Sequence, residues 1–217
     1  MPQNAQPQQE RQEPAPPSFA EVIQDTERSA VHLEMRDAYF DNERFAAWRD
    51  GERVNWEDRA SWWRGFHDLV AQAVARGVVI RRLRVVSEPV SEYIRWEHYV
   101  TRANVEAGEQ VRWLPRRLAT SLHLPGNDYW LFDERLARVH HFAGDGALVE
   151  DEFSTETGLL KGLSDSFETL WEHGIPHSEF HVSSAHVPKQ PAHVIVSVLQ
   201  RPGSQRASRP AARRSPA

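Results

Sequence analysis

The sequence predicts an α+β domain: a small mixed β-sheet, built from a β-α-β crossover and a β-hairpin, with several helices packed on it. Three observations carry the prediction. Apolar and polar residues alternate at 31–36 and again within 79–86, the period of two that marks strands. Elsewhere apolar residues recur at i, i+3 and i+4, the spacing of amphipathic helices. Over 78–114 a strand pattern, a helical pattern and a second strand pattern follow one another directly, as in a parallel crossover.

The elements follow in order. In SAVHLEMRDAY, Val31, Leu33 and Met35 alternate with His32, Glu34 and Arg36, which predicts a half-buried strand. A short helix bearing Phe45 and Trp48 is expected from a cap at Asp41 or Asn42 to Gly51. A longer helix should start at Asp58, carry Trp63, Phe66, Val70, Ala73 and Val74 on one stripe, and end at Gly77, where positive φ is favoured. VVIRRLRVV, residues 78–86, reads as the central strand, with Val79, Leu83 and Val85 on one face and Arg82 and Arg84 on the other. Ser87 can cap the next helix and Pro89 fits its first turn; Val90, Tyr93, Ile94, Val100 and Ala103 form its stripe and Gly108 its end. EQVRWL then supplies the parallel strand. DYWLFDERLARVHHF reads as a hairpin broken at Asp133, Glu134 and Arg135. A last helix of about 15 residues carries Leu159, Leu160, Leu163, Phe167, Leu170 and Trp171, closed by Gly174 and stopped by Pro176.

The ends differ in composition. Residues 1–17 are Pro/Gln-rich and 201–217 are Arg-rich; neither has the apolar content to offset the entropy of ordering, so both are expected to be disordered tails. A single domain is expected over 18–180. Residues 181–200 contain HVIVSVL, an extension or a late edge strand. The formal charge of the 217 residues is −5, and the five arginines of 201–217 leave −10 on the remainder. That acidic body argues against general nucleic-acid binding, save weak contact through the Arg-rich tail.

The absence of cysteine removes disulfides, thiolate nucleophiles, Cys-based zinc sites and iron–sulfur clusters. No stretch at the N-terminus forms an apolar signal core, and no run reaches the ~18–20 residues of a membrane helix. A soluble cytoplasmic protein without membrane contact is therefore expected. The only lysines, Lys161 and Lys189, sit in GLLKGLS and VPKQP, so no phosphate-binding P-loop exists. GDGALV at 144–149 lacks the final small residue of a dinucleotide loop and reads as a turn. GLSDS lacks the closing glycine of a nucleophile elbow. Gly174, Ile175 and Pro176 keep His173 and His177 off one helical face, and adjacent His140 and His141 point to opposite strand faces, so neither pair chelates a metal. No metal site and no cofactor are implied.

The best polar constellation joins Arg82 and Arg84 to Ser87 and Glu88 at the strand's end, followed by Tyr93, Arg95 and Trp96. Ligands of α/β units bind beyond the carboxyl ends of parallel strands, and a helix N-terminus there attracts anions. A competing reading has Arg82 and Arg84 solvated, Glu88 complementing the helix dipole and Tyr93 in the core. Asp128 and Asp133, flanking YWLF and Trp130, are a second candidate pair; both also suit turn positions. Eight tryptophans are many for this length, and adjacent Trp62 and Trp63 cannot both face inward, which marks one for an interaction surface.

The strings HLEMRDAY, FAAWRDG, RRLRVVSEPVSEYIRWEHYVTRANVEAGEQVRWLPR, DYWLFDE and WEHGIPHSEF, in this order over about residues 30–180, resemble an actinobacterial family known as domain of unknown function 6879. Genes of that family often lie beside helix-turn-helix regulators. The resemblance thus implies a regulatory or accessory module with such a regulator as partner, and supplies no catalytic residues. The order of elements also looks like half of a phospholipase-D-type domain, whose His-x-Lys motif has Leu159 and Val187 in the histidine's place here. The function expected is non-enzymatic binding of a partner protein or a small anionic ligand. The alternative is an enzyme acting on a phosphorylated substrate.

Overall fold

The computed structural model describes residues 16–39 and 42–182. The expected Arg-rich tail and nearly all of the 181–200 extension lie outside the described residues, as does most of the N-terminal tail. One mixed sheet of seven strands organises the chain, in the order β6-β5-β4-β1-β2-β3-β7. Its parallel centre is β1 (Ser29–Glu34), β2 (Val79–Val86) and β3 (Gln110–Pro115). The predicted hairpin of β4 (Asp128–Phe132) and β5 (Leu136–Phe142) pairs antiparallel with β1 through β4. Its turn places Asp133 and Glu134 at φ 50° and 56°.

Six helices accompany the sheet: α1 (Phe19–Asp25), α2 (Glu43–Arg49), α3 (Arg59–Trp62), α4 (Gly65–Ala75), α5 (Glu92–Glu106) and α6 (Thr157–His173). One face of the sheet packs on α6, where Leu160, Leu163, Phe167 and Leu170 meet Leu33, Leu83, Leu114 and Tyr129. The opposite face carries two apolar clusters. In one, Ile23, Val70 and Ala73 cover Ile80 and Phe132; in the other, Phe45 and Ile94 cover Val86, Val111 and Trp113.

The structure corrects the sequence reading at several points. β1 is buried on both faces, since the helices of both crossovers lie over the His32 side while α6 covers the other. The single helix expected from Asp58 is broken: Trp63 is extended (φ −68°, ψ 141°), which buries Trp62 against Trp56 and lets Trp63 donate its indole N–H to Asp68. Ser91, not Ser87, caps α5 by accepting from the Ile94 amide. Among the elements not anticipated are α1, begun by a capping box of Ser18 and Glu21, β6 (Leu148–Ser154) at one edge of the sheet, and a two-residue strand after α6. The short β7 (Ile175–Pro176) closes the other edge. Gly77 and Gly108 end their helices at positive φ as predicted. Gly174 ends α6 for a different reason: a Cβ there would stand 2.8 Å from Leu83 Cδ1 and 3.0 Å from Arg112 Cβ.

Candidate functional site

Between the two apolar clusters runs a strip of buried charge. The parallel register sets Glu34 beside Arg84 and His32 beside Arg82. Glu34 bridges both guanidiniums, at 2.6 Å to Arg82 Nη1 and 2.5 Å to Arg84 Nε. Arg82 also donates to Glu109 at 2.9 Å; Arg84 meets Glu97 at 3.2 Å and donates to Thr101 at 2.6 Å. Asn104 completes the Glu109 carboxylate at 2.5 Å. The arginines predicted to be solvated or free for a ligand are thus 6% and 5% exposed, with their donors taken. Solvating them was the cheaper expectation only because their partners are distant in sequence; two buried guanidiniums need carboxylates, and α5 and β1 deliver them.

Two guanidiniums face three carboxylates, so the strip has one acid in excess. Burial opposes ionisation of Glu34, but Arg84 and Arg82 outweigh it and hold that carboxyl well below the ordinary range. At Glu97 burial wins: with the charge of Glu34 adding, it exceeds the pull of Arg84, and the carboxyl is pushed up to about 7. A carboxyl raised on folding holds its proton longer in the native state, so its contribution falls as pH rises from the unfolded value to the folded one. The variant Glu97→Gln should therefore gain stability relative to wild type as pH goes from 4.5 towards 8. Paired urea titrations at pH 5 and pH 8 check this; an equal difference at both pH values would contradict it.

The remaining predicted residues do not converge. Ser87 is occupied by Asp37, through its amide at 2.7 Å and its hydroxyl at 2.6 Å. Glu88 pairs with Arg117 rather than with the dipole of α5. Tyr93 is in the core, and Arg95 donates to the Val90 carbonyl. Trp130 stacks on His32 with ring centroids 4.2 Å apart. Asp128 and Asp133 sit at opposite ends of β4. Asp133 accepts the amides of Glu27, Arg28 and Ser29 and so anchors the entry to β1. Asp128 accepts from the Met35 amide and from the Tyr39 hydroxyl. Burial pushes its carboxyl up to about 6 against the Tyr39 bond, helped by the charge of Glu34.

Among the predicted residues, Asp133 lines a pocket of about 320 Å³ beside α1, Asp128 one of about 210 Å³ at the end of β1, and Trp96 the groove that gathers the most aromatic and cationic side chains. That groove, of about 290 Å³, lies between α2, the segment 52–64 and α5. Its aromatic surface is Trp48, Trp62, Trp96 and Tyr99; its cations are Arg44, Arg53 and Arg64, and Glu52 is its one acid. The formal charge of the lining is thus +2, on a chain whose total is −5. Arg53 donates to the carbonyls of Trp48 and Glu52, with its guanidinium 5.0 Å from the Trp48 ring centroid. Arg64 donates to the Trp63 and Ser61 carbonyls, both at 3.0 Å. Among the described residues no carboxylate pairs with any of the three arginines. Partial burial lowers the Arg44 pKa, and the Arg64 charge lowers it further. Trp62 is 2% exposed, and its indole N–H has no acceptor. The alternation of Arg44, Trp48, Arg53, Trp62 and Arg64 was the sequence signal available for this groove; what it lacked was any hint that α5 would supply the second wall.

These features define the class: an α+β domain with one broad mixed sheet covered by helices on both faces and a cationic, aromatic groove beside α5. The chain belongs to the family described as Domain of unknown function (DUF6879), whose model matches residues 17–182. No curated protein matches the chain. Two solved structures are similar. Nuc from Salmonella typhimurium, a phospholipase D family member, has a TM-score of 0.42 and 10% identity over 72% of this chain and 86% of that one. TrmBL2, an archaeal chromatin protein, has a TM-score of 0.40 and 9% identity over 71% of this chain and 47% of that one. Among the described residues, no helix is long and apolar enough to cross a membrane, and no three or more His, Asp or Glu side chains are grouped to hold a metal ion.

Proposed function

We propose that the domain is a non-enzymatic binding module, regulatory or accessory in role, whose groove between α2 and α5 holds a small anionic ligand. The observation that carries this reading is the set Arg44, Arg53 and Arg64, three guanidiniums without carboxylate partners on the lining of one aromatic groove. Seven described arginines elsewhere, Arg81, Arg82, Arg84, Arg102, Arg117, Arg135 and Arg138, pair with acids, and Arg28, Arg76, Arg95 and Arg112 donate to backbone carbonyls; the groove differs in gathering three guanidiniums without a carboxylate partner on one lining. Guanidinium forks bind carboxylate and phosphate groups bidentately, and Trp and Tyr faces take the apolar part of a ligand. A cytoplasmic setting and a helix-turn-helix regulator as partner belong to the same proposal.

The test is affinity purification of the chain from its own cells, with mass spectrometry of retained small molecules and co-eluting proteins. An anionic compound should be retained by wild type and lost in the double variant Arg44→Glu/Arg64→Glu. Retention unchanged by that charge reversal would contradict the proposal.

A second reading, an enzyme acting on a phosphorylated substrate, draws support from a smaller pocket of about 210 Å³ at the carboxyl end of β1. Asp128, with its carboxyl at about 6, lines it together with Arg36 and Arg116. A carboxyl poised there can exchange a proton near neutral pH, while the two arginines suit a phosphate. Arg116, however, spends donors on the Met35 and Val85 carbonyls and on Ser87. It also faces Asp37 at 3.9 Å, and with Asp128 ionised the two arginines leave the pocket's lining at +1 against +2 for the groove.

A further inference from the structure

We infer that the ligand of the groove is a phosphomonoester carried on a planar ring, the chemistry shared by nucleoside monophosphates and aryl phosphates; this rests on the groove reading above. Three properties of the lining select that class. The first is charge. With Arg44, Arg53 and Arg64 against Glu52, the lining has a formal charge of +2, which a dianionic phosphate neutralises and a single carboxylate does not. Both Arg44 and Arg64 line the groove, the Arg64 charge acts against that of Arg44, and an anion with several acceptor oxygens can take both.

The second property is shape. Trp48 and Tyr99, both partly exposed, offer planar faces backed by the buried Trp62 and Trp96, and stacking a ring on such faces is tolerant of ring identity. Arg53 already lies over Trp48, so the cationic and the stacking surfaces adjoin. The third property is size. A volume of about 290 Å³ sits at the low end of the range for small-molecule sites, which suits one ring system with one phosphate and excludes a dinucleotide.

The experiment is isothermal titration calorimetry of the full chain at fixed ionic strength, since surface arginine contacts are screened by salt. The probes are adenosine 5′-monophosphate, phenyl phosphate, inorganic phosphate, adenosine and indole-3-acetate. At least one of the two phosphomonoesters should bind about ten-fold or more tighter than phosphate, adenosine or indole-3-acetate, because stacking and the guanidinium clamp act together. Arg44→Gln/Arg64→Gln should lose that advantage with an unchanged circular-dichroism spectrum. Adenosine monophosphate ahead of phenyl phosphate supports a nucleotide source; the reverse order supports an aryl phosphate. Indole-3-acetate equal to or tighter than both phosphomonoesters, and weakened by the variant, overturns the phosphate assignment while the groove remains an anion site. Binding of no anion, or binding that the variant does not change, overturns both.

Discussion

Replacing Glu34 with alanine is expected to lower the unfolding free energy by about 3–5 kcal/mol, the cost of removing one partner from a buried ion network. Glu34 is the hinge of that network, because its two oxygens serve different guanidiniums at 2.6 and 2.5 Å. Without it, Arg82 keeps Glu109, Arg84 keeps Thr101 and, of its carboxylates, the longer 3.2 Å contact with Glu97, and two cations remain buried. Part of the loss should be recovered in Glu34→Gln, which keeps the acceptor oxygen and the volume but not the charge. The sign with pH follows from the direction of the shift. Glu34 is depressed on folding, so its stabilisation is present above the ordinary carboxylate range and is lost as pH falls through the folded value. Urea unfolding at pH 7 measures the difference, and a change below about 1 kcal/mol would mean that the pairs contribute no more than exposed ones do.

Trp113→Ala is expected to cost a similar amount, about 3–5 kcal/mol, through lost burial and the cavity left behind. Trp113 is fully buried on β3, stacked on Phe180 with ring centroids 5.3 Å apart, and its indole N–H donates to His177 Nδ1 at 3.1 Å. Burial, followed by the charges of neighbouring His98 and Arg84, lowers His177 to about 4. The imidazole is thus neutral at pH 7 and its Nδ1 is free to accept. The Arg84 guanidinium lies 5.1 Å from the Trp113 ring centroid, so the substitution also uncovers one side of the ion network. The same denaturation measurement checks it, and a loss under 2 kcal/mol would show that the segment carrying Phe180 collapses into the space.

How much of this was legible in the sequence depended on how local the signal was. The β2–α5–β3 crossover and the hairpin at Asp133 were readable because alternation, glycine ends and turn residues lie within a few positions of each other. β6 was not: Leu148 and Val149 are 51% and 66% exposed, and an acidic run follows at 150–152, so an edge strand with one partner leaves no burial pattern. Ser87 was read as the cap of α5, and the cap is Ser91 because Asp37, brought to the same corner by β1, takes the Ser87 amide and hydroxyl. The same limit governed the site. Arg82 and Arg84 were visible as an unusual pair, but their acids come from positions 34, 97 and 109, which only the folded register brings together. Of the groove, Trp96 was identified and Arg44, Arg53 and Arg64 were not, since nothing in one helix reveals what a neighbouring loop will place beside it.

The most direct test of the central claim, that the groove beside α5 is the binding site, is the ¹H–¹⁵N spectrum of the eight tryptophan indoles titrated with adenosine 5′-monophosphate and with inorganic phosphate. The indole signals of Trp48, Trp62 and Trp96 should shift saturably with at least one of these anions, while Trp113, Trp130 and Trp171 stay in place, and Arg44→Glu/Arg64→Glu should abolish the shifts. Shifts confined to the other tryptophans, or no shift at any of the eight, would contradict it.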